Sequence, residues 1–186
     1  MNAQTSAESA FYQSYGLEKA GKYFDAVSTL KGIYDPKSYE INLRLGYLSY
    51  MAKSYSESIT YYKKATELLP LSIEAKMGLV IPLSVQNNWD EIIAIYKDIL
   101  KVDPMNSTVN YRLGIIYYNK GDYATSLSYL EKVVNQYPFH YDGLIMYAWA
   151  NLKMEKFANA KSTFNKVLLL SPDDKSAREG LSLIKG

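Results

Sequence analysis

The sequence predicts an all-α fold, an α-solenoid of stacked antiparallel helix pairs. Three observations carry this expectation. Five of the six prolines, Pro36, Pro70, Pro104, Pro138 and Pro172, are separated by equal gaps of 34 residues. Aromatic residues keep the same beat at Tyr23, Tyr55, Trp89, Tyr123 and Phe157, spaced 32, 34, 34 and 34. Large apolar residues follow each aromatic at helical spacing, with Leu30, Tyr62, Tyr96, Leu130 and Phe164 seven positions on and Ile33, Ala65, Ile99, Val133 and Val167 ten positions on. Such spacings put one apolar face on a helix. A two-helix unit cannot bury that face alone and must stack on its neighbours.

Composition agrees with a folded chain and narrows its chemistry. Of 186 residues, 48% are hydrophobic and 22% charged, which is enough for a core and too apolar for a disordered chain. The length allows one or two domains, and the unbroken repeat argues for one. The absence of Cys excludes a disulfide scaffold, a Cys zinc site, an iron–sulfur cluster and a thiol nucleophile. The single His, His140, argues against a His-based catalytic or metal site, because such sites need convergent ligands or an oriented base. A balance of 21 basic and 19 acidic residues lacks the clustered basic excess of a phosphate-backbone binder. The longest apolar run, Met77 to Leu83, contains Pro82 and is far shorter than the roughly 20 residues of a membrane helix.

Ending each unit two residues past its proline divides the chain into 7–38, 39–72, 73–106, 107–140 and 141–174, with a tail at 1–6 and a segment at 175–186. Each unit is expected to hold two helices. Thr5 and Glu8 form a capping box for the first helix of unit one. Ser38, Ser72, Asn106 and Asp174 share one slot and cap the helices that follow them. His140 fills that slot before unit five and reads as a solvated turn residue. Glu40, Glu74 and Asp142 lie in first turns, where a negative charge complements the helix dipole. Ser54, Asn88 and Asp122 precede second helices as caps, and Gly21 and Gly121 make turns between helices. Pro82 lies inside the first helix of unit three and cannot bond the carbonyl of Gly78, so a kink is expected there. Lys175 to Lys185 reads as one amphipathic helix, with Ala177, Leu181 and Ile184 on a single face, capping the open end of the stack.

This 34-residue helix–turn–helix unit with its late proline resembles the tetratricopeptide repeat. Large–small pairs at Leu45-Gly46, Leu113-Gly114 and Tyr147-Ala148 match its first helix. The runs Tyr55, Ser58, Tyr62, Ala65, Pro70 and Tyr123, Ser126, Leu130, Val133, Pro138 match its second. Unit one departs with Gln13-Ser14, and unit three with Val80 and Ile92 at the small positions. The resemblance implies five repeats plus a capping helix, wound as a right-handed superhelix.

In that family the first helices line a concave groove that binds protein partners. The resemblance turns the second, fifth, sixth, ninth, twelfth and thirteenth positions of each unit toward it. The large apolar residues there are Tyr12 and Tyr15 in unit one, then Leu43, Tyr47 and Tyr50 in unit two, and Met77 and Ile81 in unit three. Units four and five add Tyr111, Ile115 and Tyr118, then Ile145, Trp149 and Leu152. Arg44 and Arg112 occupy equivalent positions two units apart. One reading is a groove for an apolar or aromatic segment, with the arginines holding a carboxylate or backbone carbonyls. Another is that neighbouring first helices bury much of this surface. A third is self-association through the groove, giving a homo-oligomer. The Lys and Asn of the carboxylate-clamp subtype are replaced by Leu43 and Tyr47, or by Tyr111 and Ile115.

The expected function is therefore a non-catalytic scaffold that binds a protein or peptide. No cofactor, metal, nucleic acid or membrane insertion is expected. No phosphate loop, nucleophile elbow or metal-ligand spacing is present, and Asp173-Asp174 reads as a turn. Trp89, at a beat position, is expected to be buried, and Trp149 to face the groove. Asn2-Ala3-Gln4 resembles the run at a bacterial signal-peptide cleavage site, which points to the periplasm or cell envelope, with the cytoplasm as the alternative.

Overall fold

The computed structural model describes residues 3–184. It contains eleven helices and no strand among the described residues. The chain divides into two compact units, Met1–Ile99 and Leu100–Gly186. In the first lie α1 (Ala3–Lys19), α2 (Tyr23–Lys31), α3 (Tyr39–Met51), α4 (Tyr55–Leu68) and α5 (Ile73–Val85). The boundary falls within α6 (Trp89–Val102). The second holds α7 (Ser107–Asn119), α8 (Tyr123–Gln136), α9 (Tyr141–Lys153), α10 (Phe157–Leu170) and α11 (Lys175–Leu183). The chain is thus an all-α array of stacked helix pairs.

Start signals in the sequence correspond to real caps at most first helices. Ser38, Ser72, Asn106 and Asp174 accept hydrogen bonds from the backbone N–H of Ile41, Ala75, Val109 and Ala177 at 3.2, 3.1, 3.0 and 2.7 Å. These bonds satisfy first-turn donors that have no intrahelical partner. His140 does the same work: its Nδ1 accepts from the N–H of Gly143 at 2.9 Å. It is a helix cap rather than a solvated turn residue. Only imidazole can do this, since imidazolium has no free lone pair at Nδ1. At second helices, Asp122 accepts from Thr125 at 3.0 Å, and Asn88 exchanges bonds with Glu91. Ser54 makes no side-chain cap bond, contrary to expectation. The Thr5–Glu8 box is also displaced, because α1 already runs from Ala3.

The turn inside each unit places one residue in the left-handed region. Gly21 and Gly121 have φ of 71° and 79°, and Lys53, Asn87 and Glu155 occupy the equivalent slots at 61°, 57° and 57°. Glycine tolerates this conformation and Asn is tolerated better than most, but Lys and Glu carry a steric cost of roughly 1–2 kcal/mol.

Pro82 does not break its helix. Residues Ile73–Val85 form one helix of 13 residues, the same length as α3, α7 and α9. The proline sits in the last turn, so a single bond to the Gly78 carbonyl is forfeited and the remaining ladder closes through Gln86. At the far end, α11 stops at Leu183, and Lys185 lies outside the described residues, as does Asn2.

Small residues set how closely the helices approach. Within unit two the Ser58 hydroxyl donates to the Gly46 carbonyl at 2.7 Å, and in unit four Ser126 donates to Gly114 at 2.7 Å. A Cβ on Gly46 would fall 2.8 Å from the Tyr62 ring, and one on Gly114 would fall 2.6 Å from Leu130. The large–small pattern is therefore a steric requirement. Around these crossings sit the cores. Leu30, Leu45 and Leu48 pack with Ala26 and Ile41 in the N-terminal unit, and Leu144, Phe164 and Val167 pack with Ala177 in the C-terminal unit.

Trp89 is 44% exposed, so its expected burial is overturned. It opens α6, so no preceding turn of that helix lies beneath its ring, and the next apolar positions, Ile92 and Ile93, carry the buried face.

Candidate functional site

In the N-terminal unit, α1, α3 and α5 together form an open trough of about 560 Å³. Phe11 and Tyr15 come from α1, and Tyr39, Glu40, Leu43, Arg44 and Tyr47 from α3. Glu74 and Gly78 of α5 and the ring of Tyr62 from α4 complete it. The last pairing follows from sterics: a Cβ on Gly78 would lie 2.3 Å from Tyr62 Cε1, so only glycine lets α5 approach that ring. Burial pushes the Tyr62 hydroxyl well above its ordinary pKa.

Arg44 is engaged within the chain. Its guanidinium pairs with the Glu18 carboxylate at 2.6 Å and lies 3.9 Å from the centre of the Tyr15 ring. The arginine side chain is 10% exposed and that of Glu18 24%. The hydroxyl of Tyr47 donates to Glu18 Oε1 at 2.9 Å. Burial raises the Glu18 pKa, but the bonds from Arg44 and Tyr47 and the arginine charge outweigh it and hold the carboxyl below its ordinary value. The bond to Glu18, with burial, in turn raises the Tyr47 pKa. The guanidinium expected to hold a carboxylate or backbone carbonyls of a partner is therefore already paired within the chain.

Two other carboxylates line the trough without a cation. Glu40 accepts from the Ser38 hydroxyl at 3.0 Å. Glu74 accepts from the Tyr39 hydroxyl at 3.4 Å, and that hydroxyl also shares a bond of 2.8 Å with Ser72. Neither forms an ion pair among the described residues.

Four predicted groove residues lie together here: Tyr15, Leu43, Arg44 and Tyr47. Others in the same unit do not line the trough. Tyr12 is 84% exposed, Ile81 is exposed, Met77 is half-buried, and Tyr50 packs its ring 5.9 Å from Tyr55.

The C-terminal unit treats its predicted positions differently. Tyr111 sets its ring edge-on to His140 at 5.8 Å, and Tyr118 meets Tyr123 at 5.2 Å. Both lean on the core of Leu127, Leu130 and Ala150. Ile145, Trp149 and Leu152 pack on the last core, which α11 helps to build. The indole N–H of Trp149 donates to Ser176 of α11 at 2.8 Å, and its ring stands edge-on to Phe164 at 5.4 Å. Trp149 thus faces the chain's own terminal helix rather than an open groove. Ile115 is half-buried, whereas Arg112 is exposed and pairs with no carboxylate among the described residues. Burial raises the pKa of Tyr111 and of Tyr118.

Sequence reasoning passed over Phe11, Glu18, Glu40, Glu74, Tyr39 and Tyr62. A signal existed for several of them. Phe11 holds the fifth position of 7–38, so the groove spacing already marked it, and Glu40 and Glu74 hold the second position of consecutive repeats, where the apolar criterion excludes them. Glu18 holds the twelfth position of 7–38, also turned toward the groove, but nothing local marks it as the partner of Arg44, since the two residues lie in different repeats.

Among the described residues no cluster of His, Cys, Asp and Glu could hold a metal, and no helix is long and apolar enough to cross a membrane.

Comparisons with known proteins agree with this architecture. Tetratricopeptide repeat family models match residues 109–140 and 141–174. The uncharacterized protein ycf37 of Cyanophora paradoxa is 35% identical over 72 residues, which are 39% of this chain and 42% of that protein. The chain thus spans less than half the length of that relative. Among solved structures, a tetratricopeptide repeat protein from Parabacteroides merdae superposes with a TM-score of 0.81 at 17% identity, over 96% of this chain and 72% of that one. MamA from Desulfovibrio magneticus superposes at 0.75 and 17% identity, over 91% and 97% of the two chains. At these identities the structural likeness establishes the fold.

Proposed function

We propose that this tetratricopeptide repeat protein is a non-catalytic scaffold that takes up a segment of a protein partner in the trough of its N-terminal unit. The observation that carries the reading is the open trough itself. Phe11, Leu43 and Tyr47 present apolar and aromatic surface there, whereas Ile145 and Trp149, which hold the positions of Leu43 and Tyr47, pack on the last core, and Trp149 is bonded to Ser176 of α11. An extended or helical segment with bulky apolar residues fits such a surface, and aromatic anchors commonly dominate binding of this kind.

The test compares captured partners rather than merely collecting them. Intact protein, Leu43→Ala, and a control variant at Phe24, which is 69% exposed on α2 and outside the trough, would each be used as bait under one condition. The expected result is a partner retained by Phe24→Ala and lost by Leu43→Ala. Retention by Leu43→Ala with loss by Phe24→Ala would move the binding surface to the outer helices.

A second reading, self-association, is favoured by exposed apolar residues away from the trough. Leu71 and Leu169 are each 74% exposed, and Phe139 is 60% exposed. Sedimentation equilibrium over a range of concentrations distinguishes a monomer from a homo-oligomer. An envelope location rests on the Asn2-Ala3-Gln4 run and is tested by fractionating cells that express the natural gene.

A further inference from the structure

We infer that the N-terminal trough selects a basic segment: a Lys or Arg side chain seated between Glu40 and Glu74, flanked by bulky apolar residues. This inference rests on the trough being the binding surface, and it assigns the ligand a positive charge. The sequence places two arginines on the groove face, where they could hold a carboxylate or backbone carbonyls of an apolar segment. The geometry removes that option at Arg44. Its charge is cancelled by Glu18 at 2.6 Å, and the face of Tyr15 is already covered by the guanidinium at 3.9 Å. A partner carboxylate would have to displace Glu18 and leave it unpaired in a partly buried position. It would also stand near Glu40 and Glu74, which have no counter-charge among the described residues. Like charges brought together in this way oppose binding.

A cation meets the opposite situation. With Arg44 and Glu18 cancelling, the net charge lining the trough is that of two carboxylates. Arg44 also lies 5.6 Å from the centre of the Tyr47 ring, so the aromatic attraction left for an ammonium or guanidinium is that of Tyr39, and the alkyl stem of the cation can lie on Leu43 and Phe11. Glu74 is held toward this surface by the Tyr39 hydroxyl, which is itself fixed by Ser72. Both carboxylates are exposed, so each contributes modestly, and selectivity comes from the two acting together on one cation.

The test pans a random-peptide phage library on the immobilised intact protein and sequences the enriched peptides. The most enriched peptide is then synthesised with a fluorescein label and titrated by anisotropy against wild type, Leu43→Ala, and the double variant Glu40→Gln with Glu74→Gln. The expected result is a consensus with Lys or Arg beside aromatic or aliphatic residues. Affinity should fall about tenfold in the double glutamine variant and by a similar factor when the basic residue of the peptide is replaced by Gln. Enrichment of acidic or purely apolar peptides, or equal affinity for the double glutamine variant, would overturn the inference while leaving the trough as the site, provided Leu43→Ala still weakens binding. Indifference to Leu43→Ala, or a library that yields no binder, would instead defeat the trough reading itself. Both glutamines replace exposed side chains, so circular dichroism should confirm an unchanged fold.

Discussion

His140 illustrates how a residue's role depends on one atom. Four equivalent slots use oxygen acceptors, whereas this one uses Nδ1 to accept from Gly143. His140→Ala should lower stability by about 1 kcal/mol, and His140→Asp should preserve it or raise it, because a carboxylate both caps and complements the dipole. Denaturant midpoints of the two variants at neutral pH measure this. Glu18 supports a second prediction at the same scale. Its pKa is depressed in the fold, so its contribution to stability is present above the ordinary glutamate range and is lost as pH falls through the lower folded value. Glu18→Gln should therefore be less stable than wild type at neutral pH, and the two stability curves should converge in acid. A constant gap down to the lowest pH at which both fold would contradict the ion pair's role.

At the scale of elements, helix approach is governed by matched volumes. Tyr62 meets Gly78 one helix on, and Phe164 meets Gly180 in the same relation. A Cβ on Gly180 would lie 2.1 Å from Phe164 Cζ, and neither the rigid ring nor the backbone can yield by so much without moving α11. Elsewhere the second helix carries Leu30, Tyr96 and Leu130 at this position, and the helix after it carries Arg44, Arg112 and Met146 in place of glycine. Gly180→Ala should cost roughly 1–3 kcal/mol through overpacking, although alanine is the better helix former. In a Phe164→Leu background the same change should cost far less. A double-mutant cycle by denaturant unfolding reads the coupling, and additive costs would show that the two residues do not meet as described.

For the whole molecule, α11 decides what the C-terminal end presents. It covers Trp149 through Ser176 and closes the core around Phe164 and Ala177. Removing residues 175–186 should expose the indole and red-shift its emission, most clearly with Trp89→Phe to remove the second fluorophore. Solubility should fall as the apolar face of α10 is uncovered. An unshifted spectrum from a folded truncated chain would mean that α11 does not shield Trp149. Partner binding at the N-terminal trough should survive this truncation, because its lining residues all come from α1, α3, α4 and α5.

The sequence by itself determined the repeat, the helices and most of their caps. These depend on spacings within one turn or one unit, such as Ser72 to Ala75 or Ser58 to Gly46, where neighbours along the chain are also neighbours in space. It determined the apolar and aromatic character of the candidate surface for the same reason. Only the tertiary structure decided which of those side chains remain available. Arg44 and Arg112 hold equivalent sequence positions, yet Glu18 reaches Arg44 from another unit and cancels it, while Arg112 stays exposed. Trp149 and Tyr47 are equivalent too, but α11 lies over the first and the second borders an open trough. A repeat pattern assigns the same orientation to every copy. Charge pairing and coverage depend on what each helix packs against, and that differs between the interior and the ends of the stack.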